Sequence, residues 1–388
     1  MRGAARLDRL AMISRRTLLA AAAAMPLGAA AAAPTVGRIQ VAASRIIMPV
    51  TIGGAGPFPF ILDTGAAVSC IAPRLAARLG LRKLGQRRMS GVGGTVDLDF
   101  YEAKDIVFGG GVAQGAAAFG GVAPEGWAGL LAAGLFTTHD SDIDFDASEW
   151  RVYWRGRPPR DGWTRLDAGI DERSGAGSAK LFVNATLDGR SLRLLLDTGA
   201  PPEVMLFPHG TRRSGLWSGD RPFAPERLRG IGGVVERLGR VVRAQRLDIG
   251  GFGFDAPLIR LHDPKDFADV DYDGLLGLAV IERLNLSTEV RRGALWAQPS
   301  RRAKPPEAYG ASGVWFDRLD GARARVATVS PGSPAADAGL KIGDVLTGVH
   351  DWRAYIRRFA APPGTQIPVV VDTVAGPMPR IVTLRAYL

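Results

Sequence analysis

Two short stretches of this chain decide its fold: Phe60-Ile-Leu-Asp-Thr-Gly-Ala66 and Leu194-Leu-Leu-Asp-Thr-Gly-Ala200. In each stretch a run of apolar residues leads into Asp-Thr-Gly-Ala, a pattern typical of a buried strand that ends in a tight turn. Four shared residues can arise by chance, and an isolated Asp-Thr-Gly is usually an ordinary strand-end turn. The residues downstream of each copy therefore decide between chance and duplication.

Three further markers lie downstream of both copies in the same order and with similar spacing. They are a glycine-rich turn (Ser90–Gly94 and Arg229–Gly233), an aspartate-bearing strand that ends in Gly-Gly (Asp105–Gly110 and Leu247–Gly251), and a Gly-Leu-Leu stretch (Gly129–Ala132 and Gly274–Gly277). A repeated order of markers indicates duplication of one β-rich unit. Two copies suit a pair of lobes that face each other across a pseudo-two-fold axis.

The two aspartates, Asp63 and Asp197, are the candidate catalytic pair. Turns that meet at the symmetry axis would bring both carboxyl groups within hydrogen-bonding distance, where both cannot stay ionised cheaply. Such a pair shares a proton and titrates as a unit. The ionised partner can then take a proton from a trapped water that attacks an amide carbon, while the protonated partner donates to the carbonyl oxygen. This chemistry requires neither a metal nor a covalent intermediate.

Both Asp-Thr-Gly-Ala motifs resemble those of aspartic peptidases, and the resemblance covers roughly Arg38 to Ala297. It implies that the threonines lock the two catalytic loops together and that the glycine-rich turns form flap hairpins that close over substrate. The implied loop-support residues are Thr64, Gly65, Thr198 and Gly199. The implied flap residues are Gly91, Val92, Gly93, Gly230, Ile231 and Gly232.

Details of the motifs place the chain between two branches of that family. Two copies in one chain resemble the bilobed pepsin arrangement, which implies a monomer. Alanine after each Asp-Thr-Gly resembles the retroviral branch instead, and the missing hydroxyl leads us to expect a less acidic pH optimum than in pepsin-like enzymes. Two departures leave a catalytically silent dyad open: Ala132 stands where the second copy has Gly277, and Pro201-Pro202 comes directly after the second motif.

The C-terminal part of the chain has a different character. The stretch Ala327–Leu346 resembles the core signature of PDZ domains in bacterial envelope proteases. By this resemblance, a preceding loop and strand bind the C-terminal carboxylate of a peptide ligand, with Gly313, Val314, Trp315 and Phe316 as the candidate residues. The alternative is a domain of the same fold that only packs against the lobes or supports dimerisation.

The N-terminus predicts export. Ser14–Leu19 is a twin-arginine pattern, followed by an alanine-rich stretch and small residues suited to cleavage before Pro34. The apolar stretch is short and weakly hydrophobic for a membrane span, so we expect no stable span after signal removal and a periplasmic or secreted protein. An alanine-rich helix of the fold, or an uncleaved anchor, are the alternatives.

Composition and residue spacing argue against a nucleic-acid partner, an internal disulfide and a metal site. The chain has 388 residues and a formal charge of +11, and the 50 glycines and 26 prolines favour short strands and turns. The chain has no run of basic residues interleaved with aromatic ones, so we expect no nucleic-acid partner. The single cysteine, Cys70, cannot form an internal disulfide. The four histidines lack metal-ligand spacing, and the alternating aspartates of Asp140–Asp146 lack the glycine and glutamate of a calcium loop. We predict neither a metal nor a cofactor.

The sequence thus predicts a mainly β fold, with two pseudo-symmetric aspartic-protease-like β-barrel lobes and a small α+β PDZ domain. The predicted segments are a signal peptide (1–33), a first lobe (34–155), an inter-lobe linker (156–178), a second lobe (179–297), a second linker (298–308) and the PDZ domain (309–388). The expected activity is cleavage of peptides or proteins in the cell envelope. A silent peptide-binding or regulatory envelope protein is the main alternative, and self-processing around Arg301 to Pro306 is a third.

Overall fold

The computed structural model describes residues 33–91, 94–159, 161–171, 177–230, 233–266 and 270–388. The predicted signal peptide lies outside the described residues, except for Ala33. Within the described residues, no helix has both the length and the apolar character needed to cross a membrane.

Strands dominate the described residues. The first lobe has β1 (Thr35–Arg38), β2 (Gln40–Ala42), β3 (Arg45–Ile52), β4 (Ala55–Leu62), β5 (Cys70–Ile71), β6 (Arg82–Gly91), β7 (Gly94–Phe108), β8 (Val112–Gly120), β9 (Gly129–Leu131), β10 (Asp140–Asp144) and β11 (Glu149–Tyr153). The second lobe has β12 (Thr164–Arg165), β13 (Ala168–Asp171), β14 (Lys180–Leu187), β15 (Arg190–Asp197), β16 (Val204–Leu206), β17 (Ala224–Glu226), β18 (Arg229–Gly230), β19 (Gly233–Val234), β20 (Gly239–Arg243), β21 (Arg246–Ile249), β22 (Phe252–Asp255), β23 (Leu258–Leu261), β24 (Gly274–Gly277), β25 (Leu284–Glu289) and β26 (Ala294–Pro299). The C-terminal domain has β27 (Val314–Leu319), β28 (Arg323–Val329), β29 (Val345–Thr347), β30 (Gln366–Thr373) and β31 (Gly376–Thr383).

The helices are short. They are α1 (Pro73–Arg78), α2 (Gly134–Thr137), α3 (Pro208–Ser214), α4 (Leu278–Ile281), α5 (Pro334–Asp337), α6 (Trp352–Arg358) and a 3₁₀ turn at Val290–Arg292. The sequence predicts the first of them over 72–81, and the observed helix is a few residues shorter because Gly80, in a left-handed conformation, ends it.

A β-hairpin leads into each Asp-Thr-Gly-Ala motif. In the first lobe, β3 alternates between half-buried and buried residues, the period of a strand with one face in the core. Gly53 and Gly54 both have positive φ and form the two-residue turn into β4. In the second lobe, Asp188 and Gly189 make the same turn between β14 and β15. In both lobes the second strand of the hairpin is the apolar run that leads into the aspartate.

The sheets of the two lobes differ in closure. The first-lobe sheet has the order β2-β3-β4-β9-β5-β8-β7-β6, and an additional β3–β7 pairing closes six of these strands into a ring. The second-lobe sheet runs β17-β20-β23-β16-β24-β15-β14-β21-β22, with β13 added on β14. In both, the strand that leads into the Asp-Thr-Gly-Ala motif, β4 or β15, lies beside a parallel partner, β9 or β24. The fold is therefore mainly β with two lobes and a small additional domain.

A third sheet joins the lobes and corrects one predicted boundary. Its order is β1-β11-β10-β25-β26-β12, so the first three strands come from one lobe and the last three from the other. The lobes meet where Asp142 pairs with Ser287 and Ile143 with Leu286. In this arrangement β12 is the counterpart of β1. The stretch 156–178, predicted as a linker, therefore contains the first strands of the second repeat, which begins near Thr164.

The C-terminal domain has its own core and is fixed to the second lobe. Its five-stranded sheet runs β27-β28-β29-β30-β31, and the hydroxyl of Ser333 caps α5 by accepting a hydrogen bond from the Ala336 amide. The segment that precedes this domain contacts the second lobe through a bidentate ion pair between Glu307 and Arg243 of β20. The Phe223 amide donates to the Ser330 hydroxyl at 2.8 Å.

Candidate active site

The two catalytic-motif aspartates lie at equivalent positions of the two lobes. Asp63 comes directly after β4, and its amide donates to the Leu131 carbonyl of β9 at 2.8 Å. Asp197 ends β15 and stands in parallel register with Gly277 of β24. In both lobes the three residues before the aspartate, Phe60–Leu62 and Leu194–Leu196, are buried, so the end of the strand is a rigid point from which the carboxyl group projects.

Backbone amides hold each carboxyl group in place. One oxygen of Asp63, Oδ1, accepts hydrogen bonds from the amides of Gly65 and Ala66, both at 3.0 Å. Oδ1 of Asp197 accepts from the amides of Gly199 and Ala200, at 2.9 and 3.1 Å. The second oxygen of each carboxyl group is left for the partner aspartate, a water or a substrate.

The glycine of each motif makes room for the opposite aspartate. A Cβ added to Gly65 would lie 2.6 Å from both carboxyl oxygens of Asp197, and one added to Gly199 would lie 2.5 Å from both oxygens of Asp63. These separations are too short for any real contact. The structure thus brings the two carboxyl groups together across the pseudo-two-fold axis, and alanine at either glycine would force them apart.

The threonines cross-link the two loops in a reciprocal pattern. The Thr64 hydroxyl donates to the Leu196 carbonyl at 2.6 Å, and the Thr198 hydroxyl donates to the Leu62 carbonyl at 2.8 Å. Each hydroxyl also accepts from the backbone amide of the other threonine, at 3.0 Å in both cases. Both side chains are fully buried. This four-bond network fixes the separation of the two aspartates.

Burial raises the pKa of both aspartates, and the negative charge of Asp63 raises the pKa of Asp197 further. Desolvation raises the pKa of Asp63, although hydrogen bonds and the positive charge of Arg45 act in the opposite direction. Desolvation raises the pKa of Asp197 further above its ordinary value, and the charge of Asp63 adds to this increase. The pair therefore holds one proton over a range of pH in which an exposed carboxyl group is ionised.

The two departures in the motifs are accommodated locally. A Cβ on Gly277 would overlap the backbone oxygen of Pro202, whereas Ala132 is buried without conflict and its amide donates to the Ser69 hydroxyl at 3.0 Å. In the second lobe the Gly277 amide donates to the Glu203 carbonyl at 2.9 Å instead. Glu203, which follows Pro201-Pro202, thus supplies a backbone acceptor where the first lobe uses the Ser69 side chain.

The predicted flap turns fall within hairpins, only parts of which are described. In the first lobe, β6 and β7 pair along their length until Gly91 stands opposite Gly94. In the second lobe, β18 and β19 pair Gly230 with Gly233. The residues between them, Val92 with Gly93 and Ile231 with Gly232, lie outside the described residues. The closing role of these turns stays a prediction.

Sequence reasoning missed three polar side chains near the dyad. Arg45 begins β3, and its charge acts on both aspartates. Tyr272 precedes the Gly-Leu-Leu stretch of the second lobe, where burial, followed by the negative charge of Asp197, raises its pKa to about 12. The amine of Lys180 lies 6.0 Å from the centre of the Tyr272 ring. These residues are far from the motifs along the chain, so motif analysis did not identify them. The strand register of each hairpin could have identified Arg45 and Lys180, because it aligns each of them with the aspartate of its lobe.

The structure places the candidate peptide-binding residues of the C-terminal domain on two faces. Val314 and Phe316 are buried in the core of that domain. Trp315 points the other way, with the guanidinium carbon of Arg227 5.5 Å from the centre of its ring. Gly313 has a positive φ and packs against Ser333. Only Trp315 of the three side chains therefore faces away from the core, toward the second lobe.

No group of three or more His, Cys, Asp or Glu side chains suited to a metal ion occurs among the described residues. In the described part of the chain, the repeated motif brings the carboxyl groups of Asp63 and Asp197 together at two rigid turns. This pair is therefore the candidate active site.

A comparison with known protein families matches the first copy of the motif. A family model described as aspartyl protease matches residues 48–125, which include the first aspartate and its hairpin. The crystal structure of an aspartic proteinase from Irpex lacteus aligns with 69% of this chain and 97% of its own, at 11% sequence identity and a TM-score of 0.44. No curated protein matches the chain. The family match and the geometry of the site together define an aspartic peptidase-like fold.

Proposed function

We propose that the protein is an aspartic endopeptidase of the cell envelope, in which Asp63 and Asp197 activate a water. The observation that carries this proposal is the buried dyad itself, held together by the reciprocal threonine bonds and fitted to the two glycines. A structural turn needs neither the close approach of two carboxyl groups nor their raised pKa.

In the proposed reaction each group has a distinct role. With one proton on the pair, the ionised carboxylate accepts a proton from the water as its oxygen attacks the amide carbon. The protonated partner donates to the carbonyl oxygen, which gives a neutral tetrahedral diol. Collapse of the diol breaks the C–N bond: one carboxyl group gives its proton to the leaving amine, and the other, ionised carboxylate takes a proton from a diol hydroxyl, which restores one proton on the pair. The amides of residues 65, 66, 199 and 200 keep both carboxyl groups oriented throughout.

The silent-dyad alternative has less support. Its basis in the sequence is Ala132 and Pro201-Pro202, and neither disturbs the loop in the structure. The Ala200 amide still reaches Asp197, and the alanine carbonyl accepts from the Leu278 amide at 2.7 Å.

We further propose export by the N-terminal twin-arginine pattern and a PDZ-type role for the C-terminal domain in presenting peptide or protein substrates. The supporting observations are the sequence patterns, the open outer edge of β27, which pairs only with β28 among described strands, and its position near β17 of the second lobe. Arg227, which contacts Trp315, lies between β17 and the glycine-rich hairpin. A peptide bound along β27 would therefore contact the base of that hairpin.

The test is cleavage of a diverse peptide mixture by the purified mature protein between mildly acidic and neutral pH. Asp197→Asn is the control, because it keeps the shape of the side chain but removes its acid–base function. Products that form with the native protein and disappear with the variant are the expected result. Peptides that stay bound but uncleaved at every pH would instead support the binding-protein alternative.

A further inference from the structure

The hairpin registers place two cations at equivalent positions of the two lobes. In the first lobe, Ile47 of β3 stands opposite Ile61, two residues before Asp63. In the second lobe, Phe182 of β14 stands opposite Leu195, two residues before Asp197. Two residues further along the same registers are Arg45 and Lys180, each aligned with the aspartate of its own lobe. The pseudo-two-fold axis therefore relates the two cations as it relates the two acids.

Alternation along each strand shows which face the cations occupy. The even-numbered residues of β3 and the odd-numbered residues of β14 are buried in the main core. Arg45 and Lys180 belong to the opposite faces, with Ile47 and Phe182 respectively. These faces carry separate apolar clusters, and each cluster includes the alanine that ends a catalytic motif: Ala66 in the first lobe and Ala200 in the second. Each cation therefore lies at the end of an apolar surface that borders a catalytic loop.

The two apolar surfaces differ in chemistry. In the first lobe the cluster is built around Ile61, Cys70 and Leu130. In the second lobe it contains Phe182, Phe207 and Tyr272, whose rings pack edge to face at 5.2 and 5.6 Å from the tyrosine ring. A substrate that spans both lobes would meet a mainly aliphatic surface, against which Trp127 packs, on one side of the dyad and an aromatic surface on the other.

Neither cation is neutralised by a carboxylate partner in the described part of the chain. The contacts of the Arg45 side chain there are a hydrogen bond to the neighbouring Ser44 carbonyl at 2.9 Å and long-range attraction to the two aspartates. Lys180 contacts the Tyr272 ring and stands opposite Asp171 of β13, a carboxylate that forms an ion pair with Arg193. Arg45 is half-buried, and a half-buried guanidinium with one neutral hydrogen-bond acceptor retains donors for an anionic group.

We propose that Arg45 and Lys180 are specificity-determining residues that bind acidic side chains of the substrate on opposite sides of the scissile bond. The apolar clusters between each cation and the dyad receive the residues closer to that bond. This inference rests on the proposed peptidase function, since it assigns a substrate class to the same cleft. The preferred substrate is an acidic peptide with apolar residues at its centre.

The test uses one set of peptides with an apolar centre, in which a single position at a time, on either side of the centre, is Glu, Gln or Lys. The native protein is expected to cleave the best Glu peptides with kcat/KM about fivefold above their Gln counterparts, the value of one partly exposed ion pair. Arg45→Glu should reverse the order to favour Lys on one side only, and Lys180→Glu should do so on the other side. Matched charge reversals at exposed positions outside the cleft, Arg74→Glu on α1 and Lys341→Glu in the C-terminal domain, should leave the order unchanged.

Equilibrium binding of the same peptides to Asp197→Asn separates this inference from the proposed function. Cleavage by the native protein with equal rates for Glu, Gln and Lys, unchanged in both cleft variants, would overturn the inference and leave the peptidase intact. Absence of cleavage together with Glu-selective binding that Arg45→Glu reverses would overturn the peptidase and retain the acidic-ligand site. Absence of both cleavage and Glu-selective binding would overturn both.

Discussion

Removal of one hydroxyl from the threonine network should destabilise the protein more than removal of a methyl group at the same place. In Thr198→Val the side-chain shape is kept, but the Leu62 carbonyl loses its donor and the Thr64 amide loses its acceptor. Both groups lie in a fully buried environment. An unpaired buried polar group costs about 1–3 kcal/mol, so the two together should lower the free energy of unfolding by about 3 kcal/mol.

The matched control is Thr198→Ser, which keeps the hydroxyl and loses one methyl group, at a cost of about 1 kcal/mol. Urea unfolding of the mature protein and the two variants, followed by tryptophan fluorescence, measures both numbers. Thr64→Val combined with Thr198→Val should cost less than the sum of the single changes, because the two hydroxyls share one network. A valine variant as stable as the serine variant would refute the claim that this network holds the lobes together.

Three further predictions concern pH and stability. The native pKa of the dyad is raised above the ordinary carboxyl value of 3.8, so its proton stabilises the fold at pH values below 3.8. Above pH 3.8 this contribution falls by about 1.4 kcal/mol per pH unit until the raised pKa is passed. Thermal unfolding of Asp197→Asn against pH should lack this fall, and a profile parallel to that of the native protein would contradict the prediction. Burial lowers the pKa of His262 from 6.5 to about 4, so its neutral form contributes stability that is present above about pH 6.5 and lost as the pH falls through 4. In His262→Leu the free energy of unfolding, measured by urea titration, should therefore fall by about 3 kcal/mol less over this range than in the native protein. The same fall in both proteins would count against the prediction. The ion pair with Arg243 lowers the pKa of Glu307 to about 2. Since the pair is partly exposed, Glu307→Gln should lower the free energy of unfolding by about 1 kcal/mol at pH 7, and this difference from the native protein should disappear as the pH falls from 4.5 to 2. A difference that stays constant with pH would show that the ion pair is not its cause.

The paired aspartates were predictable because local sequence and local structure coincide there. A buried strand, a glycine turn and the duplicated order of markers need no knowledge of distant contacts. The hairpins before each aspartate were predictable from alternation and from turn residues such as Gly53 and Gly189. The difference between Ala132 and Gly277 was visible in the sequence, but its reason depends on the Pro202 carbonyl, which only the folded turn places beside the glycine.

The features that sequence reasoning missed depend on long-range pairing. Strands β1 and β12 have four and two residues, too few for a periodic pattern, and they exist because the six-stranded sheet provides partners. The positions of Arg45 and Lys180 beside the dyad depend on the strand registers of the two hairpins. A shift of one residue in either register would place the cation in the core. The attachment of the C-terminal domain through Glu307 likewise required a partner, Arg243, that is remote in sequence.

The most direct test of the central claim is hydrolysis in ¹⁸O-labelled water, with mass spectrometry of the products from the native protein, Asp63→Asn and Asp197→Asn. Direct attack by a dyad-activated water predicts new C-terminal carboxyl groups that carry ¹⁸O with the native protein, and no such products with either variant. Labelled products that form at an unchanged rate in either variant would show that the paired aspartates do not activate the water.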